Sequence, residues 1–162
     1  MVGRDAERIR DLVDALFVTY GEFAPPGWVR PEHRPTPLDE LAARIESGRG
    51  RMVEDEGRSV AHVLWTAASR SRLADPDPDL AYLWQLFVDV PLQGTGIARE
   101  LHDWALADAR AAGFDRIRLL TPAMNARARR FYEREGWLLI GGWGRDEALD
   151  LDLSLYERGL AE

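Results

Sequence analysis

The segment that most restricts the fold runs from Leu80 through Ala112. Leu80 to Val90 is an apolar stretch with little polar interruption, which reads as a central strand buried on both faces. It breaks at Pro91-Leu92-Gln93-Gly94-Thr95-Gly96. The chain then resumes with Ile97, Leu101, Trp104, Ala105, Ala109 and Ala112 at helical spacing, ending at Gly113. Arg116 to Thr121 is the next strand. Strand, helix and strand in that order make a right-handed crossover with two parallel strands. A joint of this kind leaves amide N–H groups unpaired at the helix start, where the dipole also favours an anion. Glycine lets a ligand approach the backbone, since no Cβ intervenes. The dipole supplies only about 0.3–2 kcal/mol, whereas micromolar affinity requires about 8 kcal/mol. Several direct N–H bonds to a pyrophosphate, each worth roughly 1.5–3 kcal/mol, would have to carry the rest. The competing reading is a tight turn whose glycines serve packing alone. The joint is neither G-x-G-x-x-G nor G-x-x-x-x-G-K-[ST], so dinucleotide and NTPase loops do not fit.

The rest of the chain frames this unit. Asp5 is placed to cap a first helix carrying Ile9, Leu12, Val13, Leu16, Phe17 and Tyr20, closed by Gly21. Phe23 to Pro37 holds five of the nine prolines and reads as a loop. Thr36-Pro37-Leu38-Asp39 reads as cap, first-turn proline and first-turn acid of a helix ending at Gly48. Arg51 to Asp55 and Ser59 to Ala68 form a hairpin about Glu56-Gly57. Asn125 caps a short helix that ends at Gly136. Trp137 to Trp143 and the alternating Leu149, Leu151, Leu153 and Leu155 are the last strands. The whole is one domain over residues 1–162: an α/β chain with a mixed sheet and helices on both faces, antiparallel at its outer hairpins.

Composition removes several classes of function. There is no cysteine, hence no disulfide, thiolate site or cysteine nucleophile. His33, His62 and His102 lack the spacing of a shared metal, so no metal is expected. All 21 basic residues are arginine, which excludes a Schiff-base or Walker lysine, and a net charge of −7 argues against nucleic acid. No apolar run is long enough to cross a membrane, and the N-terminus lacks a signal-type core, so a cytoplasmic protein is expected.

Two motifs sharpen the reading. Gln93-Gly94-Thr95-Gly96-Ile97-Ala98 matches Q/R-x-x-G-x-G/A after a strand, and Asn125 through Trp137 matches N-x-x-A-x-x-F-Y-x-x-x-G-F/W. In this order and spacing they resemble the GNAT superfamily of acyl-CoA-dependent N-acyltransferases, specifically from Leu83 to about Ile140. The resemblance implies a mixed, mostly antiparallel sheet of six or seven strands around the parallel unit, acetyl-CoA as co-substrate and a primary amine as acceptor. It implies that the amides of Gln93, Gly94, Thr95, Gly96, Ile97 and Ala98 bind the pyrophosphate. Phe87, Val88 and Val90 would border the pantetheine arm where the strand splays from its neighbour. Asn125 would touch pantetheine as well as cap its helix. Tyr132 would stand at the thioester sulfur as general acid, with a core aromatic as its plain structural role. Arg130 or Arg99 would reach the 3′-phosphate, although the patch of Arg127, Arg129, Arg130 and Arg134 also suits a solvated face beside Glu133 and Glu135.

This chain departs from the family pattern in two places. Where many members carry a basic glutamate, it has Tyr82, Trp84 and Gln85, so the expected proton acceptor is water-relayed. Asp89, placed by alternation with Leu83, Gln85 and Phe87, more simply ends the strand, and His62 reads as a hydrogen-bonded sheet residue. The family usually has a strand before the first helix; either the start is trimmed or Met1-Val2 is its remnant. Trp28, Tyr82 and Trp84 are the acceptor-side candidates, with Arg30 and His33 in the same loop. Asp75, Asp77 and Asp79 read as a solvated loop more readily than a cation trap. The leucine alternation and the tryptophans point to a homodimer. The alternative function is an acyl-CoA-binding regulatory or assembly module without turnover.

Overall fold

The computed structural model describes residues 3–32 and 36–161; His33 and Met1-Val2 lie outside them. Four helices, α1 (Ala6–Phe17), α2 (Leu38–Ser47), α3 (Ile97–Ala111) and α4 (Ala126–Arg134), flank a six-stranded sheet. Its strands are β1 (Arg49–Asp55), β2 (Arg58–Ala67), β3 (Leu80–Val88), β4 (Arg116–Pro122), β5 (Leu138–Asp146) and β6 (Leu151–Gly159), in spatial order β1-β2-β3-β4-β6-β5. Among the described residues, only β3 and β4 run parallel. One face carries α1 and α2, with Ala6, Ile9, Leu41 and Ile45 packed with Leu64 of β2. The other carries α3 and α4, with Leu101, Ala105, Ala109 and Tyr132 packed with Ala61, Val63, Ala81, Leu83 and Ile117. The mixed sheet, its single parallel pair and the helix placement are those expected.

Several local readings are corrected. The α1 helix stops at Phe17, and Val18–Glu22 tightens to 3₁₀ instead of running helically to Gly21. The Thr19 hydroxyl donates to the Leu16 carbonyl at 2.7 Å and competes with the helical ladder there. Asp5 sits at the N-cap of α1 without a side-chain cap bond. Pro37, not Thr36, is the N-cap of α2, and its carbonyl accepts from the Leu41 amide at 3.0 Å. The strand β3 ends at Val88 rather than Val90, because Asp89 caps a 3₁₀ turn over Val90–Leu92.

Two corrections bear on the site. β3 is buried from Leu80 to Leu83 and again at Val88, while Trp84 through Phe87 are half-buried. The cause is that β3 and β4 pair only at Leu80–Arg116, Ala81–Ile117 and Tyr82–Arg118, then separate. Alternation along β3 also breaks. Leu64 pairs with Gln85 and Trp65 with Leu83, so Trp84 is an extra, bulged residue. Gln85 and Phe87 therefore face α1 rather than lying with Leu83: Gln85 Oε1 is 2.8 Å from His62 Nε2, and the Phe87 ring lies 6.3 Å from that of Phe17.

The leucines of the last strand are not a surface either. β6 lies between β4 and β5, and Leu151 and Leu153 are buried. A run of exposed apolar residues instead lies on the edge strand β5: Leu138, Leu139, Ile140 and Trp143.

Candidate active site

The glycine joint stands at the open end of the gap between β3 and β4. Gly94 and Gly96 have φ of +82° and +95°, and a Cβ at either would meet nothing within 4 Å. Both need the left-handed conformation, and both leave the backbone open to an incoming group. Within the turn, the Gln93 amide donates to the Val90 carbonyl at 3.2 Å and the Thr95 amide to the Leu92 carbonyl at 3.3 Å. The first helical bond runs from the Glu100 amide to the Gly96 carbonyl at 3.1 Å. Among the described residues, the amides of Gly94, Gly96, Ile97, Ala98 and Arg99 therefore have no protein acceptor. The Gln93 side chain donates to the Val88 carbonyl at 3.0 Å, and the Asp89 carboxylate accepts from the Val90 amide at 2.9 Å. These bonds hold the turn rigid from within.

Three tyrosines gather where β3 and β4 part. Tyr82 is the last residue of β3 paired with β4, Tyr20 comes from the 3₁₀ turn after α1, and Tyr132 comes from α4. All three are buried. None of the hydroxyls forms a hydrogen bond among the described residues, yet none counts among the buried polar atoms left without a partner, so each hydroxyl tip keeps solvent contact. Burial pushes the Tyr132 phenol above its ordinary range, and Tyr20 and Tyr82 push the same way. Burial raises Tyr20 likewise, aided by Asp146. Tyr82 rises to about 12 through burial, with Arg72 lowering it and Asp146 raising it. All three therefore stay protonated and able to donate through the neutral range. The α4 helix that carries Tyr132 is pinned from below: Arg129 Nε donates to the Tyr156 hydroxyl at 2.8 Å, and that hydroxyl donates to Glu133 at 2.9 Å.

Asp146, at the end of β5, is buried, and its charge raises the phenols of Tyr20 and Tyr82. Arg72 Nη1 lies 2.7 Å from its Oδ2, and its Oδ1 accepts from the Leu149 amide at 3.0 Å. The Trp28 indole donates to the Leu149 carbonyl at 2.8 Å, which draws the proline-rich loop to the same rim. Tyr82 is buried with Ala68, Leu73 and Leu80. Trp84 is half-buried and packs with both the α1–α2 cluster and the Tyr82 cluster. Tyr20, Asp146 and Arg72 went unread in the sequence. Tyr20 is hidden by the helical periodicity of its segment, and nothing local marks Asp146 or Arg72.

The remaining candidates are placed as follows. Asn125 Oδ1 accepts from the Ala128 amide at 3.1 Å, capping α4 and leaving its amide nitrogen for another partner. Arg130 is exposed and makes no ion pair among the described residues, whereas Arg99 lies 3.6 Å from Glu135 and 3.8 Å from Asp103. Arg30 pairs with Asp14 at 3.3 Å. The acidic loop is tied down by arginines of β4, Asp75 to Arg118 at 3.2 Å and Asp77 to Arg116. His62 is fully buried and depressed to about 4 by desolvation, partly opposed by its bond to Gln85. His102 clusters with Asp103 and Glu135, but both its nitrogens are engaged, Nδ1 with Asp103 at 2.8 Å and Nε2 as acceptor from the Trp137 indole at 2.9 Å. That knot is a structural joint between α3 and the start of β5.

Residues 10–137 match the model of the Acetyltransferase (GNAT) family. A mycothiol acetyltransferase of Beutenbergia cavernae is 44% identical over 62 residues, 38% of this chain; the match spans only 21% of that longer protein. An N-acetyltransferase from Staphylococcus aureus Mu50 superposes with a TM-score of 0.73 at 19% identity, covering 99% of this chain and 96% of its own. The yncA protein of Salmonella typhimurium, solved with its cofactor acetyl-CoA, gives 0.72 at 17% identity over 100% of this chain and 92% of its own. At these identities the two structures share the fold with this chain.

Proposed function

The chain belongs to the GNAT acetyltransferase family, and from that premise we propose that residues 1–162 form a single domain moving an acetyl group from acetyl-CoA to a primary amine by direct attack. The observation that carries this is the row of unbonded amides at Gly94, Gly96, Ile97, Ala98 and Arg99, open to a ligand at the mouth of the β3–β4 fork. Ile97, Ala98 and Arg99 carry the first-turn amides that any helix leaves unpaired, and the Gly94 and Gly96 amides before them enlarge that row into a donor set that suits a pyrophosphate. The fork then takes the pantetheine arm past Phe87, Val88 and Val90, with the free amide nitrogen of Asn125 as a donor along it. Arg130 is the exposed cation for the 3′-phosphate. Acetyl-CoA supplies the activated thioester.

The protein's own residues supply orientation and proton handling. An alkylammonium has a pKa near 10.4, so freeing its lone pair at pH 7 costs about 4–5 kcal/mol. Tyr132, buried and unbonded at its hydroxyl, stabilises the leaving sulfur by a hydrogen bond. Its raised pKa keeps that proton in place until the sulfur carries charge. Trp28, Tyr82 and Trp84 border the acceptor's approach. No described helix is long and apolar enough to cross a membrane, and a cytoplasmic location follows from the expected use of acetyl-CoA. A homodimer through the edge strand β5, whose Leu138, Leu139, Ile140 and Trp143 are exposed, is part of the same proposal; a monomeric mass in light scattering at micromolar concentration would remove it.

Thiol release from acetyl-CoA, screened over primary amines, tests the whole reading. A Tyr132→Phe variant should lose most of its rate, about 10²-fold or more, while binding coenzyme A as the parent does. The family match favours turnover over acyl-CoA binding without chemistry, and a chain that binds coenzyme A yet releases no thiol with any amine would reverse that preference.

A further inference from the structure

An indole N–H can only donate. The Trp137 indole points its Nε1 at His102 Nε2, 2.9 Å away, and both side chains are buried. His102 Nε2 must therefore present a lone pair. The proton of the neutral imidazole then sits on Nδ1, where Asp103 Oδ1 accepts it at 2.8 Å. With that proton in place Nδ1 offers no lone pair to a metal, although Glu135 also stands close. Protonating His102 would set a second N–H against the indole N–H. Two donors cannot share one bond, so the contact exists only while the imidazole is neutral.

The contact joins two parts of the site. His102 lies on α3, the helix that opens with the unbonded amides of Ile97, Ala98 and Arg99. Trp137 is a residue against which Tyr132 is seated. Its amide donates to the Tyr132 carbonyl at 3.0 Å, and the two rings meet edge to face at 5.7 Å. The His102 ring in turn lies 5.6 Å from that of Phe131, the neighbour of Tyr132. A second tie runs alongside, from Arg99 to Glu135 at 3.6 Å, but Arg99 is largely exposed and water weakens that pair. The His102–Trp137 bond is thus a buried polar link between the anion-binding end of α3 and the end of α4 that holds Tyr132.

We infer that His102 is a positioning residue: as a neutral acceptor for the Trp137 indole, it fixes the Tyr132 hydroxyl relative to the amides at the start of α3. The inference rests on the acetyl-transfer reading above. His102 is fully buried and reaches neither coenzyme nor amine. Its removal therefore changes where the phenol stands and leaves the ligand's own partners intact. Misplacing a reacting group by about 1 Å costs up to about 10²-fold in rate. The charged groups facing the imidazole are Asp103 beside Nδ1, Glu135 from the end of α4 and Arg158 from β6. Burial, the largest influence, holds His102 below the ordinary histidine value of 6.5; Arg158 acts the same way, and the two carboxylates oppose it. The joint is therefore intact at neutral pH and opens on acidification.

The test is kcat against pH for the full chain, with the best amine from the thiol-release screen. Beside it stand calorimetric affinity for coenzyme A and the proton–nitrogen NMR spectrum of the tryptophan indoles. His102→Leu removes the acceptor and should lower kcat about 10- to 10²-fold with the coenzyme A constant unchanged. Trp137→Phe should lower kcat to the same degree, and the double variant no further than either alone. His102→Gln restores an acceptor that does not titrate. It should recover most of the rate and move the acid limb of the profile to lower pH, a change that a role in packing alone would not produce. In the unmodified chain the Trp137 indole N–H resonance, assigned by its loss in Trp137→Phe, should shift with the same midpoint as that limb. Wild-type kcat in His102→Leu would overturn the inference. If that variant fails to fold, an unmoved acid limb in His102→Gln overturns it instead. Absence of thiol release with every amine would sink the acetyl-transfer reading alone, because the indole titration reports on the joint without turnover.

Discussion

Replacing Gly96 or Gly94 with alanine separates two things that glycine does at the joint. At φ of +95° and +82° an alanine pays for the left-handed backbone, about 1–2 kcal/mol. No steric cost is added, since a Cβ there meets nothing within 4 Å. For a chain of 162 residues that corresponds to a melting temperature lower by about 2–8 °C, at roughly 2–4 °C per kcal/mol. The strain is present with and without ligand, so it cancels from the dissociation constant. What remains in the constant is the new methyl group standing where the pyrophosphate must approach. Displacing one charge-assisted N–H bond costs roughly 1.5–3 kcal/mol, which is about a 10- to 150-fold loss of affinity. Gly57, in the β1–β2 turn, is the control. Its φ is +77° and a Cβ there also meets nothing within 4 Å, so Gly57→Ala should cost the same stability and leave coenzyme A affinity alone. Calorimetric titration and thermal melts on the three variants decide the matter. Wild-type affinity in both Gly94→Ala and Gly96→Ala, with the stability loss present, would show that the free amides do not hold the ligand.

Three further outcomes follow from particular contacts. Asn125→Asp keeps the cap oxygen of α4 and loses the amide donor, so it should weaken coenzyme A binding with little change in stability. Asn125→Ala should also cost about 0.5–2 kcal/mol of stability, read by urea denaturation. His62 titrates near 4 when folded against an ordinary 6.5, so on acidification the unfolded chain takes up the proton first. Its contribution is complete above about pH 6.5 and declines by on the order of 3 kcal/mol as pH falls to about 4; His102, depressed in the same direction by burial, steepens that decline. Denaturation free energies that hold constant from pH 7 to 4 would contradict it. Trp137→Phe leaves His102 Nε2 buried without its donor and should destabilise by about 1–3 kcal/mol, while leaving the coenzyme A constant in place.

The helices, strands and their order were legible along the chain because apolar spacing of 3.6 or 2 residues records which side of an element meets the core. So was the joint, since Gly94 and Gly96 are needed for a local reason, the sign of φ. Tyr132 and Asn125 were found through a motif within one short helix, where i to i+7 spacing puts them on a common unit. What the spacing could not carry was any feature depending on two strands at once. The bulge at Trp84 reverses the alternation of Gln85 and Phe87 because β2 and β3 differ in length across one register, and the separation of β3 from β4 after Tyr82 opens a crevice that neither strand announces alone. Tyr20, Arg72 and Asp146 meet there from three distant parts of the chain. Their meeting is a product of sheet order, with β6 inserted between β4 and β5, and their electrostatic coupling exists only once burial has removed the water that would screen it.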